Sequence, residues 1–363
     1  MKIRKAYLKP QGNKLDLPLL LAVITLLLFG LVLVYDGSVV HAYQDYGDSY
    51  HYVRAQLNWL GVGVVVAFVF YNFDYHKLRS LSFFMLASSF VLLIAVLIPG
   101  LGTQVSGANR WLSIGPVTLQ PAEIIKLSAI TWLAAVLAKG PRLKYLLGLL
   151  LLIGFVIGFL QKDLGTTIVF VFSAASLFLV SGGAIWQLGV AASLIALITS
   201  ILIFSEEYRR SRFTAFLDPF GDPEGLSYHI SQILIALGSG GLFGLGLGQS
   251  RQKFYIPEVT TDSIFAIVGE ELGFVGAASL IALFILLIMR GFRIAERAPD
   301  QFGKLLATGL ISWLGIQAVI NLSAMVAFMP LTGVPLPFIS YGGSALVVNL
   351  AAVGILLNIS KKS

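Results

Sequence analysis

The chain contains no cysteine, which excludes a disulfide framework, a thiolate nucleophile and a thiolate metal site, and leaves the redox compartment open. Histidine is nearly as scarce, and the four present are scattered with no metal-ligand spacing. Charge is the third shortage. Lys, Arg, Asp and Glu make up 12% of the chain, against roughly 25% in a soluble domain, so an ordinary water-soluble fold is excluded. The net charge is +7, but the basic residues are not gathered on a soluble face, and nucleic acid is not an expected partner. No linker rich in Pro, Gly or Ser divides the chain, and no internal repeat is visible. Residues 1–363 therefore read as one integral membrane domain, without the repeat signature of many transporters.

Long apolar runs fill the space that charge leaves. Hydrophobic residues are 57% of the chain, and a helix needs about 20 of them to cross roughly 30 Å of hydrocarbon. Ten runs qualify: 15–35, 55–72, 78–99, 121–138, 143–160, 165–182, 184–204, 264–289, 305–329 and 338–358. The expected fold is an all-α polytopic membrane protein of about ten transmembrane helices. The first run is long and lacks a small-residue exit, so it is expected to stay as a span rather than leave as a signal.

Basic residues set the expected orientation. With the N-terminus inside, sixteen Lys and Arg fall on cytoplasmic segments and eight on outer ones, with Lys126 inside a span. Residues 1–14 and 359–363 are then cytoplasmic, and 205–262 is a large extracytoplasmic loop between helices 7 and 8. Anionic lipid head groups are the natural partners of the inner charge.

An ionisable group at membrane depth costs about 2.5–3.5 kcal/mol on insertion scales, so each one is a candidate for function. Three constellations stand out. In the first, Arg110 and Trp111 precede Gln120-Pro121-Ala122-Glu123, with Pro121 at the first position of span four. Glu123 and Lys126 lie three apart on one helical face. They form either an internal ion pair or, with Arg110, an outer-leaflet site for an anionic group such as a diphosphate. In the second, Asp262 stands at the start of span eight, where it is either an N-cap or a catalytic carboxylate. Glu270 follows about 12 Å deeper, beside Glu271, and either acid is a possible partner for Lys126. In the third, Gly333 to Ser344 carries two prolines and paired glycines on an extended path into span ten. Ser340 and Ser344 there can satisfy freed backbone groups, which makes architecture the simpler reading.

Elsewhere, Asp163, Asp218 and Asp222 read as outer-face acids, the last two in Asp-Pro pairs that are ordinary turn starters. The glycine-rich run Gly238–Gly248 lacks the spacing and the surrounding strand of a dinucleotide fingerprint. It is expected instead to be an irregular apolar segment packed against protein, since glycine lets backbone approach backbone.

Taken in order, the segments GANRW, QPAEIIKL, DLGT, FLDPFGDP, GSGGLFGLGLGQSRQKF, IPEVTTDSIFAIVGEELG and PLTGVPLPFISYGGS resemble the SEDS family (shape, elongation, division and sporulation) across essentially the whole chain. The resemblance implies ten membrane helices and a peptidoglycan glycosyltransferase that polymerises lipid II on the outer face of the cytoplasmic membrane. It implies a class B penicillin-binding protein as partner, undecaprenyl-diphosphate-linked glycan as donor, and a role in cell division or cell shape. The family's essential aspartate falls on Asp262. Its conserved arginine, glutamate and lysine fall on Arg110, Glu123 and Lys126. Trp111, Arg209, Arg210, Arg212, Glu270 and Ser340 complete the expected substrate-binding set. A divalent cation, magnesium or manganese, is a candidate cofactor with no assigned ligands. The chain departs from the family at Lys162, usually proline, at Ser263, usually phenylalanine, and at Thr260. The SGANRW and QSRQKF wording favours the division and sporulation branch over the elongation branch. Two other classes remain open: a lipid II flippase, and a scaffold that only positions the transpeptidase.

Overall fold

The structure is a computed structural model that describes residues 15–105, 108–115, 117–190, 192–193, 214–218, 220–221 and 226–362. Its helices, in chain order, are α1 (Leu17–Tyr46), α2 (His51–Asn72), α3 (Tyr75–Ala95), α4 (Pro121–Leu137), α5 (Leu143–Ile153), α6 (Leu164–Val180), α7 (Leu226–Ser239), α8 (Ile264–Arg297), α9 (Gln301–Met325) and α10 (Gly343–Lys361). A π-helical stretch, Gly154–Leu160, extends α5. Among the described residues, α1, α2, α3, α5 with its extension, α8, α9 and α10 are long and apolar enough to cross a membrane. The seventh expected span, 184–204, lies mostly outside the described residues.

Two features depart from the expected pattern of helices and loops. Gly102–Val105, Ala108–Ile114 and Val117–Leu119 form a small antiparallel sheet, β1-β2-β3, between α3 and α4. It is too short to show a strand period in the sequence. The 205–262 segment contains a helix, α7, whose polar residues broke the apolar run that a span requires.

Burial sorts the helices into two shells. Of the most apolar window of each helix, 83% is buried in α9 and 89% in α10, but only 11% in α2. α4 is buried on nearly every face as well. The outer helices turn side chains such as Phe68, Phe84 and Val91 outward, a surface that suits lipid better than water. α2 packs mainly on α10, where Gly63 lies against Leu350 and Gly354 against the Ala67 backbone. Small residues at such contacts let membrane helices approach closely.

Capping gathers one end of the bundle. Asp16 caps α1, accepting from Leu19 N at 3.0 Å, and also holds Arg290 of α8 at 2.6 Å. Asp74 caps α3 and takes Lys362 from the end of α10 at 2.6 Å. Hydrogen bonds from Lys362 and then His76 hold the Asp74 carboxyl well below the usual carboxylate range. Asp300 caps α9, takes the Tyr75 hydroxyl and lies 3.2 Å from His76. The opposite end carries the sheet, the 248–262 segment and the 331–342 segment.

Candidate active site

α8 begins at the second of these ends. Ile256 and Val259 are buried and anchor the turns that lead into it. Ser263 occupies the N-cap but makes no side-chain cap bond; its Oγ lies 2.8 Å from His229 Nε2 of α7. Asp262 therefore sits one residue outside the cap position expected for it. The residue is 9% exposed, and Thr261 Oγ1 donates to its Oδ1 at 3.3 Å. The Asp262 carbonyl accepts from Asn321 Nδ2 of α9 at 2.7 Å, and the same nitrogen donates to Val334 O at 2.8 Å. Gly333, with φ +70°, faces the carboxylate: a Cβ there would lie 3.9 Å from Asp262 Oδ2. Tyr341 N donates to Thr260 O at 2.8 Å, so the 331–342 segment frames the aspartate.

Glu270 and Glu271 lie deeper, and both serve the preceding turn. Glu270 accepts from Ser250 Oγ at 2.5 Å, Arg251 N at 3.0 Å and Gln252 N at 3.2 Å. Glu271 accepts from Gly248 N at 2.9 Å and Ser250 N at 2.8 Å. Lys253 completes the clamp, 2.9 Å from Asp36 of α1 and 3.8 Å from Glu271. The buried carboxylates thus satisfy backbone donors that membrane depth would otherwise leave unmade. This corrects the pairing of either glutamate with Lys126, and it gives Glu270 a structural task where substrate binding was expected.

The glycine-rich run docks directly on this part of α8, backbone to backbone. Gly273 has φ 63° and ψ −162°, so the helix breaks there. Leu245 N and Gly246 N donate to Glu270 O and Glu271 O, each at 3.0 Å. In return Phe274 N and Val275 N donate to Gly241 O at 2.9 Å and Leu242 O at 3.1 Å. Two carbonyls and two amides flanking the break are thereby paired with the turn.

Lys126 is buried in the bundle, 2.9 Å from Glu123 and 2.8 Å from Gln317 Oε1, with the Trp313 ring 5.0 Å away. The internal ion pair expected from the i,i+3 spacing is present. Gln317 Nε2 in turn donates to Pro335 O at 2.9 Å. The sequence reading missed Trp313, Gln317 and Asn321. Their signal was the spacing: three hydrogen-bonding side chains at i, i+4 and i+8 on one face of an otherwise apolar span.

The remaining expected site residues are spread more widely. Arg110 of β2 donates to Gln161 O at 3.1 Å and Lys162 O at 2.8 Å, where it ties the sheet to the turn before α6. Trp111 is half-buried on the same strand. Asp163 caps α6, accepting from Thr166 N at 3.0 Å. Ser340 Oγ accepts from Leu336 N at 2.8 Å, and Ser344 Oγ accepts from Gln120 N at 3.1 Å, so both serines do satisfy freed backbone. Arg209, Arg210 and Arg212 lie outside the described residues. Among the described residues no three His, Asp or Glu side chains converge to hold a metal.

The chain resembles known proteins along almost its whole length. Stage V sporulation protein E of Bacillus subtilis is 43% identical over 356 residues, covering 95% of this chain and 97% of that protein. The probable peptidoglycan glycosyltransferase FtsW of Trichlorobacter lovleyi is 39% identical, covering 95% and 93%. Among solved structures, a chain from work on the structural coordination of polymerization and crosslinking by a peptidoglycan synthase complex superposes with a TM-score of 0.80 at 29% identity, covering 95% and 97%. The rod shape determining protein RodA of Thermus thermophilus gives 0.70 at 28%, covering 95% and 96%. Residues 17–363 match the family described as cell cycle protein, which groups FtsW, RodA and SpoVE. With that match added to the ordered motifs and the polytopic helical fold, the chain belongs to this family, the SEDS proteins.

Proposed function

We infer that this protein is a peptidoglycan glycosyltransferase that polymerises lipid II, with Asp262 as general base. The observation that carries this reading is the placement of Asp262: a buried carboxylate beside a glycine, framed by two backbone segments at one end of the bundle. Asp262 takes the proton from a sugar hydroxyl of the acceptor lipid II, and that oxygen attacks C1 of the donor glycan. The bond from C1 to the diphosphate breaks, and undecaprenyl diphosphate leaves with inversion. General-base assistance of this kind is worth about 10²–10⁴-fold. Negative charge grows on the leaving diphosphate, and preorganised cations stabilise it. Arg110, Arg209, Arg210 and Arg212 are the candidates for direct contact, whereas Lys126 acts from within the bundle.

Orientation supports an outer-face site. The end opposite Asp262 carries Lys77, Arg79, Arg290, Lys361 and Lys362, the bias of a cytoplasmic face. Both termini are then cytoplasmic, and the protein sits in the cytoplasmic membrane with lipid II reaching Asp262 from the outer leaflet. A class B penicillin-binding protein is the proposed partner, by analogy with the solved synthase complex of a similar chain.

Purified protein in liposomes with labelled lipid II tests the assignment, with and without the transpeptidase and with Asp262→Ala beside wild type. Glycan from wild type and none from the folded variant is the expected result. Near-wild-type polymer from Asp262→Ala would remove the base, and lipid II crossing the bilayer without polymer would favour a flippase.

A further inference from the structure

Helix α9 holds two amides, Gln317 and Asn321, one turn apart and almost wholly buried. Both reach out of their own helix. They take consecutive carbonyls of the 331–342 segment, Pro335 by Gln317 at 2.9 Å and Val334 by Asn321 at 2.8 Å. Each then ties that segment to one ionisable residue. Asn321 binds the main chain of Asp262 at 2.7 Å, and Gln317 Oε1 accepts from Lys126 Nζ at 2.8 Å.

The chemistry explains why an amide stands at position 321. One primary amide nitrogen offers two N–H groups to two carbonyls. A hydroxyl offers one, and an ionised carboxylate none. The choice has a cost, because Asn321 Oδ1 is buried without a hydrogen-bond partner among the described residues. An unsatisfied buried acceptor is destabilising, a cost that a leucine in this apolar span would avoid.

We infer that Asn321 is a positioning residue for Asp262, holding the peptide that carries the carboxylate against the 331–342 segment. Gln317 holds the same segment to Lys126, so α9 sets the base and the cation relative to each other. The inference rests on the assignment of Asp262 as base. Asp262 precedes the α8 N-cap by one residue, and a shift of its peptide swings the carboxylate directly. Misplacement by about 1 Å is enough to lower turnover on the order of 100-fold.

The test is steady-state polymerisation of lipid II by the full-length protein in liposomes, comparing Asn321→Ala, Asn321→Asp and Asn321→Gln with wild type. Asn321→Ala and Asn321→Asp are expected to lower kcat about 10- to 100-fold while KM for lipid II stays within about twofold. Asn321→Gln keeps both N–H donors and should recover part of the loss. Turnover by Asn321→Ala within about twofold of wild type would overturn the inference. So would a rise in KM at constant kcat, or Asn321→Gln no better than Asn321→Ala. If Asn321→Ala does not fold, Asn321→Gln and Asn321→Ser carry the comparison. An active Asp262→Ala removes the base itself, whereas an inactive Asp262→Ala beside a fully active Asn321→Ala removes the positioning role alone.

Discussion

Lys126 is a cation 2% exposed, held by a glutamate equally buried. Removing one partner of such a pair strands the other and costs about 3–5 kcal/mol, whereas replacing both by apolar groups of similar size is often neutral. Structure and activity can therefore be separated. Lys126→Ala should lower the thermal midpoint strongly. The double variant Glu123→Leu/Lys126→Met should recover most of that loss, measured by melting in detergent. If Lys126 acts only as structure, the double variant also polymerises lipid II; if its charge serves the leaving diphosphate, the variant folds and stays inactive. The i,i+3 spacing made this pair legible in the sequence, but both readings of it were equally open there. Gln317 and the Trp313 ring, which complete the lysine's surroundings, come from a helix about 190 residues away, a contact that no local pattern reveals.

The break in α8 belongs to the scale of elements. The length of its apolar run made 264–289 legible as one span, and the paired acids within it were visible as costly. What they bind was not visible, because their partners are backbone N–H groups of a turn that folds back from residues 248–252. The conformation of Gly273, φ 63° and ψ −162°, lies in a region that essentially only glycine enters, at a cost of about 1–3 kcal/mol for other residues. A Cβ there would also meet the Leu242 carbonyl at 2.7 Å. Gly273→Ala should therefore unfold at lower temperature than wild type and lose polymerase activity through the displaced 248–262 segment. An unchanged melting curve would mean that α8 can run straight through this point. The small sheet escaped the sequence reading for a different reason: its strands run from 3 to 7 residues, too short for alternation to show against the neighbouring turns.

Across the whole molecule, composition and basic-residue bias were enough to read a polytopic helical protein, because about 20 apolar residues in a row have few alternatives. The inner and outer shells were not legible: α9 and α10 are about as hydrophobic as α2 and α3 and less so than α1 or α8, yet they are enclosed by protein. Hydropathy reports exclusion from water and does not distinguish lipid from protein as the neighbour.

The reciprocal bonds between the glycine-rich turn and α8 also bear on how the chain is made. Residues 241–246 leave the ribosome before the part of α8 they pair with, so those carbonyls and amides are still inside the exit tunnel when the turn emerges. Hydrocarbon does not tolerate unpaired backbone, and the turn must wait in water until α8 inserts. Membrane entry of the two is then a single late event in biogenesis. Because the chain has no cysteine, one introduced thiol can follow it. Leu245→Cys, whose side chain faces out of the protein, should react with a water-soluble maleimide in nascent chains halted with the turn emerged and α8 still in the exit tunnel, and be shielded by lipid in the finished protein.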